Sequence, residues 1–259
     1  MNTLTVEQRD RVVTVTLDRP PVNAITLEMQ RELATFFGGI AEDRTIGAVV
    51  LAGAGDKAFC GGIDLKEVRA MGSAGDSLQA LTNPGWQWRE TQRVVRNAAV
   101  PVIAAVERPA IGAGFGLIGV CDLVIASERA TFALTEINVG LLGGGSKAMR
   151  LLGPHKARMM MFTGRPVTAA DMHRLGAVEE VVPDGTAVRV AQDLAAEIST
   201  KSPLAIRLAK ESLVRIEGDE IERQYRTEWD YTNRLSHFDD SREAMDAFLE
   251  KRQPEWSWS

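Results

Sequence analysis

Four glycines within Ile111–Gly119, wedged between two apolar runs, constrain this chain more than any other feature. Pro101–Glu107 and Asp122–Ser127 read as buried strands, so the glycine segment must turn, form something short and turn again. Pro109–Ala126 is apolar enough to be weighed as a membrane span. Its proline, its glycines and Asp122 instead predict a strand–turn–helix core segment. Gly114-x-Gly116-x-x-Gly119 formally matches a dinucleotide fingerprint, but that motif opens a longer helix, and here a new strand begins at about Asp122. The segment therefore reads as a short helix with its first amides exposed near Ala113, where a negative charge is favoured.

Leu4–Val6 and Val12–Leu17 are β-branched runs around Arg9-Asp10 and predict a hairpin. Thr26 is placed to cap a helix with Leu33, Phe36, Phe37 and Ile40 on one face. Ala48–Leu51 is a short buried strand ending in a glycine-rich turn. Alternating strands and helices through about residue 200 predict an α/β core of βαβ-like units. Beyond Pro203 no strand pattern remains. Asp240 and Glu243 form a D-x-x-E capping box ahead of an apolar face made by Met245, Phe248 and Leu249. The expected division is a core over 1–200 and a helical region over 201–259, the latter serving oligomerisation and pocket closure. Arg69–Gly85, rich in Gly, Ser and Asn, is expected to be a loop over a site.

The formal net charge of −5 argues against broad nucleic-acid binding, which needs a basic footprint. Cys60 and Cys121 form no CxxC pair, so neither a disulfide framework nor a zinc site is expected. The polar start MNTLTVEQRD lacks a signal-peptide apolar region. A soluble, cytoplasmic protein is the expectation.

Two further segments carry chemistry. In Lys57-Ala-Phe-Cys-Gly-Gly-Ile-Asp-Leu-Lys66, Gly61-Gly62 after a strand can turn the backbone and leave amides free to face a developing oxyanion. An ordinary glycine turn is the bland alternative. In Ala130–Arg150, Glu136 follows an apolar strand and precedes Gly143-Gly144-Gly145. An apolar setting raises a carboxyl pKa, as a proton shuttle near neutral pH requires; a surface or capping glutamate is the competing assignment. His155, His173 and His237 lack metal-ligand spacing. Cys60 reads as a buried inert thiol, and Asp64 and Asp122 as caps or buried acceptors.

Together these segments resemble the enoyl-CoA hydratase/isomerase (crotonase) family over nearly the whole chain. The likeness extends to Leu17-Asp-Arg-Pro20, Asn23-Ala24, Cys121-Asp122-Leu123, Thr163-Gly164-Arg165, Gly176 with Val178, and the ending Phe248–Trp256. It implies a spiral of ββα units with a C-terminal helical region that builds trimers, often paired into hexamers. It implies an acyl-CoA substrate of lipid metabolism, with CoA as part of the substrate and no metal or redox cofactor. The oxyanion N–H groups would come from Ile63 and Ala113, and Glu136 would be the acid/base. Lys57, Ala58, Phe59, Gly61, Gly62, Gly116 and Gly144 would line the substrate, and Lys251 could reach a phosphate. Hydratases of the family hold water between two glutamates; Glu136 matches the second, but the first falls at Gly116. The resemblance thus implies a lyase of the enoyl-CoA hydratase type. The alternatives are a Δ3-Δ2-enoyl-CoA isomerase, a hydroxycinnamoyl-CoA hydratase-lyase, or a non-catalytic CoA- or RNA-binding member. Trp86-Gln-Trp88 resembles the hydratase-lyases, in which a tyrosine binds the phenol; Tyr225 and Tyr231 are both candidates.

Overall fold

The computed structural model describes residues 1–71, 85–218 and 220–259. Its main sheet has six strands: β1 (Leu4–Arg9), β2 (Val12–Leu17), β3 (Ala48–Gly53), β4 (Val102–Val106), β6 (Leu123–Ser127) and β9 (Glu180–Val182). They lie in the order β1-β2-β3-β4-β6-β9, and only the β1–β2 hairpin is antiparallel. A smaller sheet joins β5 (Ala110–Ile111), β7 (Thr131–Ala133) and β8 (Val167–Thr168).

Side chains of successive strand residues point to opposite faces, and that alternation divides the core in two. Ala48, Val50, Ala52, Ile103, Ala105 and Ile125 face α7 (Ala187–Ser199). That helix contributes Ala187, Ala191 and Ala195, small enough to lie close on the sheet. Val49, Leu51, Val102, Ala104 and Val106 face the other way, toward Leu33 and Phe37 of α1 (Leu27–Gly39) and Val95 of α3 (Trp86–Arg96). Thr26 caps α1, its side chain accepting from the Met29 N–H. Between α1 and α3, α2 covers Leu65–Met71. Arg69–Met71 of the expected loop is therefore helical, Gly85 turns into α3, and the rest of that loop lies outside the described residues.

The turn after β3 is fixed by one side chain. Buried Asn23 accepts from the Arg19 N–H at 3.0 Å, and its Nδ2 donates to the carbonyls of Ala54, Ala58 and Phe59 at 2.8, 3.1 and 3.2 Å. Asn23 has a φ of 53°, in the left-handed region that Asn tolerates better than most residues.

After β5 come α4 (Ala113–Ile118), α5 (Gly145–Thr163, broken at Gly153-Pro154) and α6 (Ala169–Arg174). Past α7 the described chain is helical: α8 (Pro203–Glu217), α9 (Glu220–Leu235) and α10 (Asp239–Glu250). Buried Lys210 of α8 donates at 2.5 Å to Asp122, which also accepts the Val102 N–H, so the helices are pinned to the sheet at the strand ends. The expected capping box at Asp240 and Glu243 does not form. Phe238 is the N-cap without a side-chain bond; Asp240 accepts from the Ser257 and Trp258 N–H groups, and Glu243 binds Arg252 and the Glu255 N–H. Nor does α10 bury Phe248 and Leu249: its inward residues are Ser241, Ala244 and Ala247. No described helix is long and apolar enough to cross a membrane.

Removing the Asn23 amide leaves buried carbonyls without a donor. Asn23→Ala is expected to cost ~2–3 kcal/mol in urea unfolding. Asn23→Asp, which keeps the size but loses the donor, should cost at least as much.

Candidate active site

The site begins where the two sheets meet. Ile25 pairs with Ile63, its N–H donating to Gly62 C=O at 2.8 Å and its C=O accepting the Asp64 N–H at 2.9 Å. In a parallel bridge of this kind the Ile63 N–H points away from its neighbour. Cys60 pairs likewise with Ala110, and the Ile111 N–H donates to Cys60 C=O at 2.9 Å. The Gly112 N–H is taken by Ala133 C=O at 2.9 Å. The chain then turns at Gly112, with φ 55° and ψ −114°, into α4. Ala113 is the first helical residue, so its N–H has no partner inside the helix. Neither the Ile63 nor the Ala113 N–H finds a protein acceptor among the described residues.

Glycine lets these turns approach. Gly62 has a φ of 104°, and a methyl there would lie 3.4 Å from the Ile111 carbonyl and 4.0 Å from the Ala113 nitrogen. A methyl on Gly112 would lie 3.1 Å from Glu136 Oε1 and 3.7 Å from Gly62 Cα. Ile63, Ala113 and Glu136 are thereby brought to one place.

Glu136 opens a 3₁₀ turn (Glu136–Val139) directly after β7. Its Oε2 is enclosed and has no hydrogen-bond partner among the described residues. Burial pushes its carboxyl up to about 7, and the negative charge of Glu228 adds to the shift. The Gly143 turn passes close, a methyl there lying 3.6 Å from Glu136 Oε1. Ser241 of α10 braces the far side, its Oγ donating to Gly140 C=O at 2.7 Å.

The remaining candidates divide. Gly116 is buried in α4, and a methyl on it would stand 3.5 Å from Trp88 Cζ2, so an indole covers the spot where a longer side chain would project. Gly114 and Gly119 are needed for packing: a Cβ on them would meet the Cys60 carbonyl at 2.6 Å and the Lys147 side chain at 2.5 Å. The dinucleotide resemblance of these glycines is accounted for by that packing. Gly61 packs on Val22, and Gly144 caps α5 against Leu134. Lys57 is exposed, whereas Ala58 and Phe59 are buried with their carbonyls held by Asn23. Lys251 caps the far end of α10, ten residues beyond Ser241, or about 15 Å along a helix. Cys60 is buried, its thiol pushed up to about 12 by burial, and is no nucleophile at neutral pH.

One residue near the site went unnoticed in the motifs: Glu228, whose charge is felt by Glu136. Tyr225 is buried under Lys147, whose Nζ lies 4.4 Å from the ring centroid. Burial raises the phenol pKa, and the charges of Glu228 and Glu136 raise it further. Tyr231 is exposed beside Arg234, so Tyr225 is the tyrosine that feels the site. Tyr225, Glu228 and Trp229 stand at i, i+3 and i+4 on one face of α9, a spacing visible in sequence but hidden among charged neighbours.

Residues 7–258 match the family model described as enoyl-CoA hydratase/isomerase. A Rhodococcus jostii protein named "(7aS)-7a-methyl-1,5-dioxo-2,3,5,6,7,7a-hexahydro-1H-indene-carboxyl-CoA hydrolase" is 35% identical over 245 residues, 95% of this chain and 93% of that one. A "Probable enoyl-CoA hydratase" of Rhizobium meliloti is 36% identical over 258 residues, covering 98% and 97%. The crystal structure of an enoyl-CoA hydratase/isomerase from Pseudoalteromonas atlantica superimposes with a TM-score of 0.86 at 25% identity, covering 98% of this chain and all of that one. With its crotonase-type α/β fold and a match across nearly its full length, this chain belongs to the enoyl-CoA hydratase/isomerase family.

Proposed function

We propose that this protein is a hydratase-type lyase acting on 2-enoyl thioesters of CoA. The observation that carries the reading is the meeting of two N–H groups without protein acceptors, on Ile63 and Ala113, with the buried carboxyl of Glu136. The thioester oxygen accepts from both amides. As water adds at C3, the electrons of C2=C3 move toward that oxygen, and preorganised donors contribute roughly 2.7–4 kcal/mol each to the developing charge. Glu136 exchanges the proton at C2 or on the water, a role suited to a carboxyl near 7. The reading calls on no cofactor beyond the CoA that the substrate carries.

Gly116 favours a second reading, a Δ3-Δ2 isomerase, because one carboxylate is enough to move a proton between C2 and C4. The indole of Trp88 beside Gly116, and the bicyclic acyl group in the name of the Rhodococcus relative, support a cyclic acyl chain over a short linear one. The C-terminal helices fit a role in trimer assembly, since Leu204, Leu208, Leu213 and Ile216 of α8 are exposed.

Mass spectrometry on linear, aromatic and fused-ring enoyl-CoAs separates the readings. Hydration adds the mass of water, isomerisation changes retention without mass, and a hydratase-lyase releases an aldehyde. Hydration is the expected outcome; conversion of 3-enoyl-CoA alone would select the isomerase. Glu136→Gln is expected to lower kcat by about 10²-fold or more with little change in KM. Retained activity on every substrate would sink both readings.

Linkage gives a second check. The folded Glu136 carboxyl, at about 7, holds its proton above the ordinary value of 4.5, so the native state binds more protons in that window. Stability from this group is therefore fully present below 4.5 and lost as pH rises toward 7. The melting temperature of Glu136→Gln relative to the parent should be flat below pH 4.5, climb up to about pH 7 and level off above it.

A further inference from the structure

The family motif places its other carboxylate at a position that is glycine here, yet the structure holds a second buried carboxylate beside the site. Glu228 reaches in from α9, where its Oε1 accepts the Ser146 N–H at the start of α5. Its Oε2 is enclosed and has no partner among the described residues, the same condition as Glu136 Oε2. Both carboxylates face one glycine turn. A methyl on Gly143 would lie 3.6 Å from Glu136 Oε1, and a methyl on Gly145 would lie 3.4 Å from Glu228 Oε1.

A buried carboxylate oxygen without a donor is costly, and two carboxylates that reach the same turn through Oε1, each with its Oε2 left without a donor, are better explained by a shared donor than by two separate defects. We propose that Glu228 is the second acid–base carboxylate of this site, supplied by α9 where Gly116 supplies none, and that the two carboxylates hold the reacting oxygen between them.

The inference rests on the hydratase reading and completes its proton balance. A water bonded by its oxygen to C3 gives one proton to the ionised carboxylate as the C2=C3 electrons pass to the thioester oxygen. The enolate then reforms the carbonyl and C2 takes the proton held by the other carboxyl, leaving the pair with one proton as before. Coupling between the two is already felt, since the Glu228 charge raises Glu136. Around the pair stand Tyr225 on α9, Arg89 on α3 and Lys147 on α5, the last over the Tyr225 ring.

A merely structural role for Glu228, capping α5 from outside, is separated by Glu228→Gln, which keeps an acceptor for Ser146. The variant is measured on the thioester that the parent hydrates, as kcat and KM across the pH range, beside a ¹³C-carboxyl NMR titration of Glu136. Glu228→Gln is expected to lose about 10²-fold in kcat with KM kept, and the Glu136 midpoint is expected to move to lower pH. A kcat within about twofold of the parent would overturn the assignment while leaving the hydratase reading intact, provided Glu136→Gln is inactive. If the parent hydrates no enoyl thioester, the hydratase reading fails first, and an unmoved Glu136 midpoint then overturns the pairing as well. Where Gln at 228 lowers the melting temperature, Glu228→Asp is expected to regain about tenfold over Gln; no regain overturns the proposal.

Discussion

The site depends on how two short parallel bridges use their backbone hydrogen bonds. Ile25 takes both the carbonyl of Gly62 and the amide of Asp64, and Cys60 C=O takes the amide of Ile111. Among the described residues the Ile63 N–H, which the register turns outward, and the Ala113 N–H, which heads a helix, find no protein acceptor. Buried amides are rarely left without an acceptor, so leaving two together has to be held in place by everything around them. Asn23 supplies part of that hold by fastening the turn after β3, and Gly62 and Gly112 supply the close approach.

The same economy explains Glu136. Burial raises the pKa of this carboxyl, the Glu228 charge adds to it, and the cost appears as stability lost when it ionises. The 3₁₀ turn that presents it is backed by Ser241 of α10, whose Oγ donates to Gly140 C=O. Stability given up at this point is what makes a proton available near neutral pH.

Much of this was readable in the sequence, for physical reasons that also explain the misses. The runs at Ala48, Pro101 and Asp122 are buried on both faces, and continuous apolar runs bounded by glycine identify themselves. β1 runs on to Arg9, past the run that signalled it, because it is an edge strand whose later residues are exposed and carry no alternation. At Asp240 and Glu243 the spacing of a capping box was present, but the chain end folded back and offered those carboxylates other N–H donors. Motifs report local competition only, and a tertiary donor can win it. Turn glycines and an apolar strand draw attention to the segments that hold Ile63, Ala113 and Glu136, and the family resemblance singles out the positions. Glu228 was not legible, since a glutamate in a charged helix looks like solvent-facing surface until the helix is seen packed on the glycine turn.

Trp88 ties these observations together. Its indole lies in van der Waals reach of a methyl at position 116 and packs on the core from α3. Position 116, with the indole beside it, supplies no carboxylate of its own. If the reaction needs two carboxyls, the second has to arrive from an element that packs against the glycine turn instead, and among the described residues α9 delivers one there. On that proposal the helices after residue 200 contribute to the chemistry of the site through Glu228.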